Sequence, residues 1–501
     1  MNIQNPGLRN DRTIIIGAGV AGLAAAIRLS SEGEEVLLLE TADTVGGKMR
    51  QIESPIGGID SGPTVFTMKY VFDELFGEAG TTIENEINIQ KVDVLARHAW
   101  DNNGFFDLYA DREQSIDAIG QFFGTRNATG YRKFCADAKS VFETLKDTYM
   151  GAQRPNPITL ASRVGFLNIK TLLDLKPLHS LWSALGSYFP DPRLRQLFGR
   201  YATYVGSSPF KAPATLMLIA HVEQEGVWLI EGGMYSLASA MLNTAKKKGA
   251  KVRTDAKVSK ILVENAAAAG VELRSGEILT GAKIVYCGDV SDLAHKVSDK
   301  SRNLPPAVSY ENRSLSAMTW SMYARSHDFP LLRHNVFFSQ DYAQEFQSIF
   351  SHGKISQDPT VYICAQDRED RSEQRTEPER LLCLINAAAR GDVNRFSQKE
   401  LEQCQEYMTT TLRRCGLELQ PIQQTVTQPA DFNEMFPGSG GALYGRAQHG
   451  WMASFSRPGA TTKIPGLYLA GGSVHPGAGV PMATLSGMLA AEQILTDRVL
   501  I

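Results

Sequence analysis

Three glycines and one acid are the first residues in this chain whose types and spacing could do chemistry. Gly17-Ala18-Gly19-Val20-Ala21-Gly22 directly follows the short β-branched run Thr13–Ile16, and Glu40 closes the apolar run Val36–Leu39. The order is strand, glycine turn, helix, strand, acid, which suits a dinucleotide. Gly17 makes the tight turn, Gly19 lets the backbone approach a pyrophosphate, and Gly22 lets the helix pack close to the sheet. Backbone N–H groups from Ala18 to Ala21 and the positive end of the helix favour phosphate. The Glu40 carboxylate can accept hydrogen bonds from ribose hydroxyls and would repel a 2′-phosphate, which disfavours NADP. The plainer reading, a glycine-rich turn in an unrelated α/β protein, leaves the acid at the second strand tip unexplained.

The elements that position these residues can be traced along the chain. Leu23–Ser30 continues with helix formers, and Gly33 marks the helix end. Gly232-Gly233-Met234 opens a helix expected to run to about Lys248, followed by short strands at 251–253, 257–264, 271–274 and 282–287. A second strand–glycine–helix unit lies near the end: Ile464–Ala470, then Gly471-Gly472-Ser473, then a helix over Met482–Thr496. The segments between, about 95–225 and 300–430, carry no dinucleotide motif.

Composition narrows the function classes. With 51 Lys+Arg against 54 Asp+Glu the 501-residue chain is near neutral, and nothing global points to nucleic acid. Six scattered cysteines without a C-x-x-C pair read as reduced thiols of a cytosolic chain. Nine histidines without a metal-ligand spacing leave no metal site expected. No signal peptide is read at the start, and no apolar run approaches the ~18 residues of a membrane span. The expected location is the cytoplasm, or the inner face of the cell membrane.

Further motifs carry a resemblance. Thr44-Val45-Gly46-Gly47-Lys48, Ser61-Gly62-Pro63-Thr64 and His475-Pro476-Gly477-Ala478-Gly479 resemble the flavin amine oxidase and carotenoid desaturase superfamily. The stretch from Gly440-Gly441-Ala442-Leu443-Tyr444-Gly445-Arg446 through Ser486-Gly487 most resembles the hydroxyneurosporene, or 1-hydroxycarotenoid 3,4-, desaturases. The resemblance implies an α/β fold with a Rossmann-type, glutathione-reductase-like FAD-binding domain and a mixed α+β substrate domain. It assigns 1–95, 226–300 and 431–501 to the first and 96–225 and 301–430 to the second. It implies non-covalent FAD held by Gly46, Gly47 and Lys48 along the pyrophosphate, and by Gly62, Pro63 and Thr64 near the flavin ring. A backbone group at Val258 would meet the adenine, and Gly471, Gly472, Ser473 and Met482 would meet the ribityl and flavin end. Lys48 stands where arginine is usual and lacks the planar fork.

The implied reaction is desaturation of C3–C4 in a 1-hydroxy or 1-methoxy acyclic carotenoid, with hydride passing to flavin and an external acceptor finishing the oxidation. Dioxygen, a quinone and NAD⁺ all remain open as that acceptor. His475 and Glu231 are the candidates for proton acceptor, against a structural histidine and a solvated loop acid. Tyr444 and Trp451 could line a substrate tunnel or pack in the core. Phytoene desaturase, an amine or porphyrinogen oxidase, and a non-catalytic binder of prenylated partners are the alternatives.

The substrate class bears on the middle of the chain. Between Pro157 and Val222, Arg163, Lys170, Lys176, Arg193, Arg195, Arg200 and Lys211 face only Asp174 and Asp191, with aromatic and aliphatic residues between them. This suits an anionic membrane surface, or equally an amphipathic subdomain whose apolar stripe is core. Transfer of a forty-carbon polyene into water costs on the order of 30 kcal/mol at ~0.8 kcal/mol per carbon. Such a substrate must pass from a bilayer into an apolar tunnel.

Overall fold

The computed structural model describes residues 11–102, 104–165, 175–176, 178–298, 304–369 and 375–499. At its centre is a five-stranded parallel sheet. β1 (Thr13–Ile16) pairs with β2 (Val36–Leu39) on one side and with Lys283–Tyr286 on the other. Lys251–Arg253 extends the sheet beyond β2, and Leu467–Leu469 forms the opposite edge. The β1, β2 and Lys283–Tyr286 strands are almost wholly apolar because both sheet faces are covered.

One cover is α1 (Val20–Ser31), where Ala21 to Ile27 are all buried. It packs against the helices Met234–Lys247 and Val480–Val499. Small residues make this packing close. A Cβ at Gly22 would lie 2.0 Å from the Gly17 carbonyl oxygen, and one at Gly487 would lie 2.1 Å from that of Ala21. The first and last helices therefore touch backbone to backbone.

The second sheet has seven strands, in the order Glu418–Thr427, Ser316–His327, Glu379–Ala387, Val361–Ala365, His334–Phe337, Val94–Ala99 and Phe105–Tyr109. Only the pairing of His334–Phe337 with Val94–Ala99 is parallel within it. Met408 and Leu412 of the helix Gln398–Arg414 pack on one face, among Trp320, Ile363 and Cys383. The other face meets helices between residues 112 and 225. A small antiparallel sheet of Phe66–Thr67, Val227–Ile230 and Ile89–Lys91 lies near Trp228.

Local expectations hold with shifted boundaries. α1 begins at Val20, so Gly22 sits inside its first turn rather than before it. The last helix begins at Val480. The strand expected at 271–274 starts earlier, at Ala267, because Asn265 and Ala266 adopt left-handed backbone and fold Val258–Glu264 back onto it.

The basic stretch resolves in favour of an internal subdomain where it is described. Leu185, Tyr188, Phe189, Leu194 and Phe198 are core, and Arg200 is buried. Arg193 pairs with Asp191, and Arg195 donates to the Phe189 carbonyl. Phe166, Leu167, Ile169, Lys170, Leu172, Leu173 and Asp174 lie outside the described residues.

Replacing Gly487 by valine drives side-chain carbon into the Ala21 carbonyl. Overpacking of this kind costs on the order of 3 kcal/mol. Chemical denaturation of Gly487→Val should show a loss of that order. Wild-type stability would mean that the two helices can part without cost.

Candidate flavin site and apolar cavity

The β1–α1 turn delivers its groups as the spacing predicts. The Gly17 N–H donates to the Leu39 carbonyl, which places the turn beside the end of β2. The Glu40 carboxylate reaches back over this turn and accepts from the Ala18 N–H at 2.7 Å and the Ala42 N–H at 3.0 Å. The carboxylate thus lies against the turn that leads into α1. Gly46 donates to the Ala18 carbonyl, and a Cβ at Gly47 would stand 3.1 Å from the Gly19 Cα. A Cβ built at Gly19 meets nothing nearer than the Gly47 Cα at 4.0 Å. A side chain there would fill a backbone-walled cradle, so the residues present fit a dinucleotide.

Lys48 is held by the C-terminal part of the chain. Its buried ammonium donates to the Leu443 carbonyl at 2.5 Å and lies 5.4 Å from the centre of the Phe436 ring. Burial lowers its pKa, with Asp289 opposing. Lys48 thus ties the Gly46-Gly47 turn to the 440–446 loop. Gly62 is pinned against the same segment, since a Cβ there would lie 1.8 Å from the Lys48 carbonyl oxygen. Val258 is a buried strand residue whose carbonyl accepts from Lys296 at 3.4 Å.

The C-terminal unit faces this turn from the other side of β1. The Gly471 N–H donates to Ser486 Oγ at 3.1 Å, while Ser473 Oγ accepts from the Val290 N–H at 3.1 Å. Arg457 organises the loop and was not singled out by its sequence. It is buried, and its guanidinium donates to the carbonyls of Gly472, Tyr444 and Arg446 at 2.6, 2.9 and 2.9 Å. Burial lowers its pKa to about 10, so it remains a cation at neutral pH. No carboxylate is bonded to it among these contacts, which leaves positive charge beside Gly472.

His475 is buried and held by backbone carbonyls. Its Nε2–H is shared between the Tyr149 and Ala152 carbonyls, at 2.9 and 3.0 Å, and its ring meets Tyr149 edge-on. Nδ1 is buried without a partner, and burial lowers the pKa to about 4. The peptide to Pro476 is cis. The histidine does not line the cavity that its neighbours Pro476 to Met482 line. Glu231 does not line that cavity either. It is exposed and accepts from Asn88 Nδ2 at 2.7 Å, because Gly232 and Gly233, both at positive φ, turn the chain away. The buried acid at that helix start is Asp60, which accepts from the Met234 N–H at 2.6 Å.

A cavity of about 550 Å³ adjoins Gly62-Pro63-Thr64 on one side and Pro476 to Met482 on the other. Its walls are largely aliphatic, including Leu160, Leu216, Ile219, Leu382 and Leu384. Tyr444 and Trp451 both line it, but Tyr444 is interior while Trp451 is 45 % exposed. At the Trp451 end, Pro157, Leu160 and Phe455 line the cavity, and Ile158 and Met452 stand exposed next to them. No helix among the described residues is long and apolar enough to cross a membrane.

Comparison with known proteins settles the family. The model for flavin-containing amine oxidoreductases matches residues 20–495. The chain belongs to this family. It is 47% identical to the hydroxyneurosporene desaturase of Rubrivivax gelatinosus, over 97% of this chain and 94% of that one. It is 41% identical to the hydroxyneurosporene desaturase of Cereibacter sphaeroides, over 97% and 98%. An oxidoreductase from Methanosarcina mazei shares the fold with a TM-score of 0.60 at 18% identity, covering 96% of this chain and all of that one. The chain is accordingly an FAD-dependent oxidoreductase.

The neutral, buried His475 makes stability depend on acid. Its folded pKa of about 4 lies below the ordinary 6.5, so its contribution is complete above 6.5 and is lost as pH falls towards 4. His475→Gln keeps an N–H donor without a titrating ring. Its stability, followed by denaturant midpoint, should fall less steeply than wild type between those values. Parallel curves would remove His475 from the acid response. Independently, Glu40→Ala should be purified with less bound flavin than wild type, as read by visible absorbance, and equal flavin content would contradict the ribose assignment.

Proposed function

We propose that this protein is a carotenoid desaturase with non-covalently bound FAD, which introduces the C3–C4 double bond of a 1-hydroxy or 1-methoxy acyclic carotenoid. The observation that carries the reading is the apolar cavity opening directly onto Pro63-Thr64 and Pro481-Met482, in a chain 47% identical to a hydroxyneurosporene desaturase.

FAD, when bound, supplies the hydride acceptor. Gly17 to Gly22 and Glu40 hold the adenosine and pyrophosphate, and Gly62, Pro63, Thr64, Gly471, Gly472, Ser473 and Met482 surround the ring end. The start of the helix Val480–Val499 and the Arg457 cation favour negative charge there. The aliphatic walls align the substrate and keep out water, which would otherwise trap a developing cation. One carbon would lose hydride to the bound cofactor, and its neighbour would lose a proton that leaves to solvent at the exposed Trp451 end. The conjugated chain spreads the charge, so no strongly basic side chain is required at the cavity wall. An external oxidant finally takes the electron pair.

A substrate this apolar arrives from a membrane. Ile158, 73 % exposed, with Trp451 and Met452 beside the cavity, gives an apolar rim suited to contact with the bilayer's inner leaflet. Loss of that rim should weaken binding to vesicles without altering the flavin site.

Expression in a host that accumulates 1-hydroxylated acyclic carotenoids tests the reading. The product should have two hydrogens fewer and absorb at longer wavelength. Conversion of phytoene alone would shift the assignment to the phytoene desaturase type, and oxidation of amines alone would overturn it.

A further inference from the structure

A cavity for a hydrocarbon has no need of hydrogen-bond donors, yet this one contains a buried polar cluster. Arg200 and Tyr342 both line it, and they are 7 % and 4 % exposed. Arg200 is held from one side only. Its Nη1 donates to the Tyr204 hydroxyl at 2.6 Å, and that hydroxyl donates to Glu223 Oε1 at 2.9 Å. The other carboxylate oxygen accepts from the Tyr201 hydroxyl at 2.7 Å. Arg200 Nε and the Tyr342 hydroxyl are buried and have no partner in the protein. Leaving such groups unmet costs ~1–3 kcal/mol each. Trp182 packs beside both, its ring centre 6.0 Å from that of Tyr342 and its edge 3.4 Å from where a Cβ would stand on Gly199, the residue before Arg200.

We propose that Arg200 and Tyr342 form a subsite for the oxygen on C1 of the substrate, and so select which carbon–carbon bond meets the flavin. The inference rests on the carotenoid reading above and deepens it. Guanidinium can only donate, and the tyrosine hydroxyl is free to rotate into donating. The matching ligand atom is therefore an acceptor oxygen, which a hydroxyl and a methoxyl both supply and an unsubstituted hydrocarbon end does not. With bonds of ~1.5 Å, an oxygen on C1 lies within ~5 Å of C3 and C4. Gripping it fixes the reacting bond to within one position of the chain. The same cavity is also lined by Thr64 and Tyr362, whose hydroxyl is 2.7 Å from Thr64 Oγ1 and 2.7 Å from His334 Nδ1. A substrate lacking the oxygen leaves both donors unmet, the situation in which polar sites discriminate most strongly.

The test uses the flavin-loaded full chain, with a 1-hydroxylated acyclic carotenoid and its deoxygenated counterpart supplied in liposomes. Wild type should favour the hydroxylated substrate. Tyr342→Phe removes an oxygen that bonds nothing in the protein, so flavin content and Tm should match wild type. Its kcat/KM ratio between the two substrates should fall about tenfold, chiefly through KM for the hydroxylated one. Arg200→Met, if it retains flavin, should lower the same ratio. An unchanged ratio in Tyr342→Phe, or an equal loss on both substrates, overturns the subsite while leaving the desaturase reading intact. Turnover of neither carotenoid by wild type overturns both.

Discussion

The fold depends on a backbone contact. α1 and the last helix meet where Gly487 leaves no room for a side chain beside the Ala21 carbonyl, and Gly22 lies equally close to Gly17. Most helix pairs are separated by 8–10 Å of interlocking side chains. Here small residues bring the first and last helices, from opposite ends of the chain, into direct backbone contact. Each helix start offers unpaired N–H groups and partial positive charge. On the proposed reading, a dinucleotide would span the distance between them and join glycine motifs that lie more than four hundred residues apart in sequence.

The cavity follows from the second sheet. Its strands alternate, so Val336, Tyr362, Leu382 and Leu384 face the cavity while Ile363 and Cys383 join the core on the other side. The same alternation lets one sheet carry both an aliphatic floor and the Tyr362–His334 pair. Burial holds His334 at a pKa of about 3, with the Arg333 and Arg200 charges adding to the effect, so the ring is neutral at physiological pH. The polar residues therefore contribute directed hydrogen bonding, with Arg200 as the charge at their centre.

Much of the dinucleotide half was legible because its constraints are local. A glycine needed for a tight turn, an acid at a strand tip and an apolar run covered on both faces each leave a mark within forty residues. Long-range partners left none. Asp60 caps the helix beginning at Met234 across the fold, so attention to the neighbouring acid fell on Glu231, which points outward. Lys48 looked like a phosphate ligand by position, but its partner Leu443 is distant in sequence. Arg200 read as one of several surface bases, since charge counting carries no information on burial, and it turned out to lie inside the cavity. His475 was found by its motif, while its two carbonyl acceptors come from the Tyr149–Ala152 segment, which nothing in the motif indicates.

Crystallographic density for the flavin-loaded protein tests the central claim most directly. The account predicts a single extended FAD, its adenosine ribose hydroxyls within ~3 Å of the Glu40 carboxylate and its ring between Pro63-Thr64 and Pro481-Met482, one face towards the cavity. A ribose placed away from Glu40, or a ring walled off from the cavity, would contradict it.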